Sequence, residues 1–238
     1  MIVKGMSYEE IIKEAYEDQI ECNSRAFKIL DNNKKLKKTI LNIRRNCILN
    51  SQSMYFFKHF TLTSKNRNTV LIVPCYNMEK KDFNICIYVL YNFGSGYHAV
   101  CCDSREGWGH IDRIYTPHFF DRFRDRELKN QNLSKFEVIS EFSKNRYCYA
   151  GGYLCRYPVM NILNDPELPK DILEKLKKYP ENSYLQPFGD LGVFVLECDR
   201  YSKLDIIKTY LSFDILKDNQ VEILMYMLSR SDLNDRGD

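Results

Sequence analysis

The residues of this chain that are best suited to chemistry lie between Thr116 and Arg126, where the sequence reads TPHFFDRFRDR. His118 is followed by Arg122 and Arg126 at intervals of four, and residues four apart lie on one face of a helix. The spacing predicts a polar stripe of these three side chains, with the phenylalanines between them pointing into a core (Phe119, Phe120 and Phe123). A histidine titrates near neutral pH and an arginine is a fixed cation, so the stripe suits an anionic substrate such as a phosphodiester.

A purely structural interpretation of this stretch stays open beside the chemical one. His118 would then be a first-turn residue whose ring is hydrogen-bonded to a carbonyl. The two arginines would pair with neighbouring acids (Asp121, Asp125 or Glu127). Such pairs on a helix surface stabilise it by only about 0.2–0.5 kcal/mol each.

The elements that must position the stripe can be predicted from local signals. A short strand, His110 to Tyr115, leads into Thr116 as the helix cap and Pro117 at the first helical position. The helix is predicted to reach Leu128, and a second helix over 134–142 begins with a capping box. Two strands, 191–198 and 204–211, follow as a closing pair, and the second contains Lys208, Thr209 and Tyr210.

The first half of the chain is predicted to begin with helices and to continue with strands. Residues from Ser7 to about Asn50 have a helical pattern that breaks at 31–33, and the second part is rich in lysine and arginine. That cationic helix is either a solvated face or a contact for nucleic acid or an acidic partner. Strands are predicted at 69–74, 83–92 and 97–102, with a turn at 94–96. The predicted fold class is α+β, a mainly antiparallel sheet packed against helices, with a helical N-terminal extension.

From residue 109 to 212 the order of elements and residues resembles bacterial ribonuclease toxins of the barnase, EndoU, colicin and RelE-like superfamily. The resemblance is to the branch with a histidine-x-x-x-arginine helix and a threonine–aromatic pair on the final strand. His118, Arg122 and Arg126 match the helix motif, and Thr209 and Tyr210 match the strand motif. This chain differs by a long insertion at about 150–184 and by a long N-terminal region.

The resemblance implies a metal-independent endoribonuclease that needs no cofactor and leaves a 2′,3′-cyclic phosphate. His118 would transfer the proton, and Arg122, with Arg126, would hold the phosphate. Thr209 is expected to donate to the phosphate, and Tyr210 to be a second donor or a base-stacking ring. The candidates for further substrate contacts are His110 and Lys208. The expected partners are RNA and an antitoxin or other regulatory protein, in a toxin–antitoxin or phage-defence system.

Two regions are predicted, a regulatory or RNA-presenting region at 1–104 and a ribonuclease-toxin-like domain at 105–238. The alternative function is a non-catalytic module of the same fold that binds nucleic acid or protein.

Composition restricts the remaining classes of function. The 238 residues carry a net charge of +3, which is too small to identify a nucleic-acid partner by itself. There is no apolar run long enough to cross a membrane and no apolar leader, so a cytoplasmic protein is expected. The nine cysteines contain no Cys-x-x-Cys pair, so they predict reduced, buried thiols rather than a metal site.

Overall fold

The computed structural model describes residues 1–46, 54–102, 112–149, 157–158, 170, 174, 177, 182–188, 191–199 and 204–215. Its helices are α1 (Tyr8–Asn32), α2 (Lys34–Asn46), α3 (Pro117–Phe123) and α4 (Lys135–Tyr149). Its strands are β1 (Met54–Phe56), β2 (Phe60–Thr63), β3 (Thr69–Asn77), β4 (Asp82–Asn92), β5 (Tyr97–Cys101), β6 (Asp112–Tyr115), β7 (Tyr157–Pro158), β8 (Ser183–Phe188), β9 (Gly192–Asp199) and β10 (Leu204–Ser212). A π-helical turn, Arg124–Leu128, continues α3, and a 3-10 turn, Phe213–Ile215, follows β10. The predicted α+β class, with a mainly antiparallel sheet and a helical N-terminal segment, is confirmed.

These elements form two compact units. The first unit contains residues 1–112 and 134–148, and the second contains residues 113–133 and 149–238. The predicted boundary between residues 104 and 105 lies outside the described residues and stays a prediction. The predicted insertion at about 150–184 also lies largely outside them.

The first unit begins with two helices whose ends follow local sequence signals. Ser7 caps α1 in a capping box, in which its hydroxyl accepts from the Glu10 N–H and the Glu10 carboxylate accepts from the Ser7 N–H. The buried side of α1 carries small and apolar residues at helical spacing, and it packs against β3, β4 and β5. The predicted break falls at Asn33, which separates α1 from α2.

The pairings among strands β1 to β5 of the first unit are all antiparallel. Its order is β1-β3-β4-β5, and β2 also pairs with β3. The turn between β4 and β5 holds Gly94 (φ 101°) and Gly96 (φ 114°), and both of their N–H groups donate to the side-chain oxygen of Asn92. The left-handed φ of these positions favours glycine. The predicted hairpin is therefore confirmed.

The second unit holds the candidate site. Its strands lie in the order β6-β10-β9-β8-β7, and β8, β9 and β10 pair antiparallel. Helix α3 packs against β10 and buries its phenylalanines, as the sequence predicts. The aromatic core formed there contains Phe119, Phe120, Phe123, Phe188, Phe194 and Tyr210. Burying one such side chain contributes about 1.5–3 kcal/mol, so this core is what holds α3 on the sheet.

Candidate functional site

The start of helix α3 follows the predicted capping pattern. Thr116 is extended (φ −80°, ψ 159°), and its hydroxyl accepts the N–H of Phe119 at 3.3 Å. Pro117 occupies the first turn, where its missing N–H has no cost. His118 follows in the same turn with an exposed side chain.

Thr116 also fastens the start of α3 to strand β10. Its hydroxyl lies 3.1 Å from the carbonyl oxygen of Ile207 and 3.0 Å from that of Lys208, and its single proton is shared between them. Its backbone N–H donates to the Ile207 carbonyl at 3.1 Å. One residue therefore caps the helix and attaches its first turn to the final strand.

The attachment point is a β-bulge. In the pairing of β10 with β9, Ile207 lies opposite Leu196 and Thr209 opposite Val195, so Lys208 is the extra residue. A bulge leaves one residue unpaired and increases the local twist, and bulges are common next to active sites. The sequence contains no turn residue or glycine at this position that would have predicted it.

His118 and Arg122 are brought together on the outer face of α3. They lie one turn apart and both side chains are exposed. Among the described residues, no hydrogen bond or ion pair engages the imidazole of His118 or the guanidinium of Arg122. Within the described part of the chain, both groups are therefore accessible to a ligand.

The acids of this helix are paired with a different arginine. Arg124 lies 3.1 Å from Asp125 and 3.7 Å from Asp121. The pKa of Asp125 lies below its usual range, chiefly because the Gln131 amide donates to it, then because of Arg124, with a smaller contribution from the charge of Arg122. The pairing expected in the structural interpretation thus occurs at Arg124, while Arg122 stays unpaired within the described residues.

Arg126 departs from the predicted stripe because the helix changes its winding. Residues 124–128 form a π-helical turn, in which hydrogen bonds span five residues instead of four. The α-helical spacing that would align Arg126 with His118 and Arg122 therefore ends at Phe123. The Arg126 guanidinium instead donates to the carbonyl oxygen of Tyr210.

Tyr210 lies inside the core of the second unit. Its side chain is 0% exposed, and its hydroxyl donates toward both the Glu127 carboxylate (3.0 Å) and the Leu191 carbonyl (2.9 Å). Burial raises the pKa of this hydroxyl far above its usual range, and the charge of Glu127 raises it further. The ring contacts Phe123 of α3 edge to face. These contacts make Tyr210 a link between helix, strand and loop.

The ring of Tyr210 fits only because residue 192 is a glycine. A Cβ at Gly192 would lie 2.2 Å from the carbonyl oxygen of Leu211 and 2.9 Å from the Tyr210 hydroxyl oxygen. The first of these atoms belongs to the backbone of a paired strand and has little freedom to move. Gly192 therefore permits the close approach of β9 to β10 at this point.

Thr209 points away from the helix. Successive side chains of a strand lie on opposite faces of the sheet, so Thr209 lies on the face opposite to Tyr210. Tyr210 and its cross-strand partner Phe194 lie on the face covered by α3, since they contact Phe123 and Phe119. The structure therefore does not bring the side chain of Thr209 to the exposed face of α3.

Lys208 shares the far face of the sheet with Thr209. Its ammonium group forms an ion pair with the carboxylate of Glu197 at 3.0 Å, and Glu197 is on the same face as Val195. His110, the other predicted substrate contact, lies outside the described residues. Glu197 and Glu127 are the partners that sequence reasoning missed, because each is distant along the chain from the residue it binds.

The arrangement as a whole is an exposed imidazole and an exposed guanidinium on a helix whose base is fixed to a bulged strand. Within the described residues, no three His, Cys, Asp or Glu side chains are grouped to hold a metal ion. None of the described helices combines the length and the apolar character needed to span a bilayer. Chemically, the two exposed groups are side-chain donors that can bind an anion.

No protein-family model matches this chain, and no curated protein or solved structure matches it either. The likeness to ribonuclease toxins consequently depends on the residues and on the order of elements alone.

Proposed function

We propose that the second unit binds RNA through the exposed side chains of His118 and Arg122, named here the His118–Arg122 surface. The observation that carries the proposal is that both groups are exposed one turn apart and have no partner among the described residues. An unpaired guanidinium offers a planar fork of donors that fits the oxygens of a phosphodiester. A neighbouring imidazole adds a further donor.

The rigidity of α3 adds to this proposal. The helix is fixed at its start by Thr116 and along its inner face by the aromatic core. Because the backbone of α3 is already fixed, binding does not have to order it, so more of the interaction energy appears as affinity. RNA is the phosphodiester we favour because the helix motif resembles that of ribonuclease toxins.

The test is the salt dependence of RNA binding by Arg122→Gln, with Arg124→Gln as the matched control. Both variants remove one arginine from the same helical segment, but only Arg124 is already paired with acids. For single-stranded RNA each phosphate contact contributes about 0.7 to the slope of log affinity against log salt. We expect Arg122→Gln to lower the slope by about that amount and Arg124→Gln to leave it unchanged. Equal effects of the two variants would contradict the proposal.

RNA cleavage by His118 is the second candidate function, and the closeness of His118 and Arg122 favours it. An exposed imidazole one turn from an unpaired arginine is the combination that phosphodiester cleavage requires. His118 would accept the proton of the ribose 2′-hydroxyl, and the 2′-oxygen would form a bond to phosphorus. The bond from phosphorus to the 5′-oxygen would break, and that oxygen would take a proton from water. The products would be a 2′,3′-cyclic phosphate and a 5′-hydroxyl.

The final strand favours RNA binding without cleavage over the ribonuclease. Tyr210 is buried and Thr209 lies on the far face of the sheet, so neither adds a donor beside His118. Cleavage would depend on His118 and Arg122 alone among the described residues.

Incubation of RNA with the protein in EDTA separates the two candidates. Cleavage that disappears in His118→Ala, together with toxicity on expression that this variant lacks, would establish the ribonuclease. An antitoxin or other regulatory protein and a cytoplasmic site of action belong to that candidate. Salt-sensitive binding with no cleavage would leave the binding function alone.

A further inference from the structure

Helix α2 of the first unit carries a dense group of cations. Lys34, Lys35, Lys37 and Lys38 fall within five positions, and all four side chains are exposed. In the part of the chain that the structure describes, none of them forms an ion pair or a side-chain hydrogen bond. We call these four residues the α2 lysine cluster.

The α2 lysine cluster is unfavourable for the isolated fold. Lys34 lies three and four residues before Lys37 and Lys38, and like charges at these spacings repel each other by about 0.2–0.5 kcal/mol per pair. The cluster also occupies the positive end of the helix dipole, where cations are disfavoured, and the first turn of α2 contains no acid. The nearest acid in sequence, Asp31, forms no ion pair with them among the described residues.

Seven other lysines and arginines in the described part of the chain form ion pairs with acids, whereas others, such as Lys4, Lys13 and Lys65, form none there. Arg25, Lys144 and Lys177 each pair with an acid three or four residues away along the chain. Lys129 and Lys208 each pair with an acid from a more distant segment. The α2 lysine cluster is therefore distinguished by its density, with four unpaired lysines within five positions.

A ligand of the α2 lysine cluster would contact its ammonium groups and not the backbone amides at the start of the helix. The amide of Leu36 donates to the side-chain oxygen of Asn33 at 3.0 Å, and the amide of Lys37 donates to the Asn33 carbonyl at 3.1 Å. Ile40 of α2 is buried, and Leu41 is the large apolar side chain that is exposed among those described in this helix. A helix that lies on a bilayer needs a broad apolar face, which one exposed leucine does not provide, so a membrane surface fits α2 poorly.

We propose that the α2 lysine cluster is a second contact for RNA, which binds its phosphodiester backbone without reading its sequence. Four residues of rise extend about 6 Å along the axis, and the ammonium groups on long side chains extend further. A charged strand whose phosphates follow one another closely is the partner that matches such a row of cations. The proposal shares its ligand with the proposed function but depends on different residues, so either can fail without the other.

The experiment compares two variants with the same loss of charge. One replaces the cluster (K34Q, K35Q, K37Q and K38Q), and the matched control replaces four scattered exposed lysines of the same unit (K4Q, K13Q, K65Q and K80Q). The probe is a labelled single-stranded RNA of mixed sequence with 2′-O-methyl groups throughout, which cannot be cleaved through its 2′-oxygen. Circular dichroism checks that both variants keep the helical content of the wild type.

If all four lysines contact phosphates, the cluster variant loses about 2.8 from the slope of log affinity against log salt. Between about 50 and 200 mM salt, the affinity of the wild type then falls about 50-fold more than that of the cluster variant. A slope that drops by about 0.7 or more, with the control unchanged, supports the proposal. A smaller drop, or an equal drop in the control, overturns it.

Two further outcomes separate the surfaces and the ligands. Loss of RNA binding in the cluster variant but not in Arg122→Gln would contradict the proposal for the His118–Arg122 surface and support the one for the α2 lysine cluster. Loss of binding to phosphatidylserine vesicles in the cluster variant, with RNA binding unchanged, would overturn RNA as the partner.

Discussion

The hydroxyl of Tyr210 provides the sharpest test of how the second unit is built. The change Tyr210→Phe removes one oxygen, so the Glu127 carboxylate loses this donor and the Leu191 carbonyl keeps the N–H of Phe213. A hydrogen bond to a charged group contributes about 1.5–3 kcal/mol to stability. We expect the free energy of unfolding to fall by that amount. For a chain of this size, the corresponding decrease in Tm is about 3–12 °C.

The assay combines urea denaturation with RNA binding. Tyr97→Phe is the control, because Tyr97 packs against Phe136 and its hydroxyl forms no hydrogen bond among the described residues. We expect the control to change stability by less than about 0.5 kcal/mol. We expect RNA affinity to be unchanged in both variants. A Tyr210→Phe variant that loses RNA affinity at full stability would refute the assignment of this hydroxyl to the core.

The effect of Tyr210→Phe on stability should depend on pH. Burial raises the pKa of Tyr210 in the folded chain above its value of about 10 in the unfolded chain. The stability that this hydroxyl contributes is therefore complete below pH 10 or so and is lost as the pH rises further. The difference in stability between wild type and Tyr210→Phe should accordingly shrink above about pH 10.

Four further predictions concern single positions. Gly192→Ala should lower stability in urea denaturation by at least about 1–3 kcal/mol, because its methyl group has no room against a paired backbone. Arg113→Met should cost about 3–5 kcal/mol, because it removes the ion pair with the Asp205 carboxylate, which is 3.5 Å away and fully buried; adding Asp205→Leu should recover most of that loss in a double-mutant cycle. Thr116→Val should cost about 0.5–2 kcal/mol and speed hydrogen exchange in α3 and β10, whereas Thr116→Ser should restore both. Burial raises the pKa of Cys22 to about 12, so stability should fall as the pH rises from about 9 to about 12, and Cys22→Ala should flatten that part of the curve.

The beginning of α3 could be predicted from sequence because every signal for it is local. A threonine cap, a proline in the first turn and phenylalanines at helical spacing all act within a few residues. The same holds for the predicted capping box at Ser134, which the structure contains together with a second one at Ser7. Local agreement of this kind needs no knowledge of the partner elements.

Strands without such signals were missed. None of β1, β2 and β8 was predicted, although β1 and β2 pair with β3 and β8 pairs with β9; β8 begins at the end of the supposed insertion. These segments are short or lack regular alternation, and their pairing depends on the long central strand that they flank. Helix α4 also continues to Tyr149, seven residues beyond the predicted end.

The predicted polar stripe does not extend to Arg126, because tertiary contacts set the winding of the helix there. Arg126 donates to the Tyr210 carbonyl, and Glu127 accepts from the Tyr210 hydroxyl. Both bonds draw the end of the helix toward β10, and the helix there takes the π form. A spacing rule that assumes 3.6 residues per turn cannot anticipate this change.

The bulge at Lys208 likewise changes where the side chains of the strand motif lie, in a way that spacing rules do not predict. In a regular strand Ile207 and Tyr210, three residues apart, would lie on opposite faces. The extra residue places both on the face that α3 covers, since their partners Leu196 and Phe194 are two residues apart on β9. Thr209 is thereby turned to the far face with Lys208 and Glu197. An adjacent threonine–tyrosine pair thus does not by itself place both side chains beside the helix, and of the predicted residues that the structure describes, only His118 and Arg122 share an exposed surface.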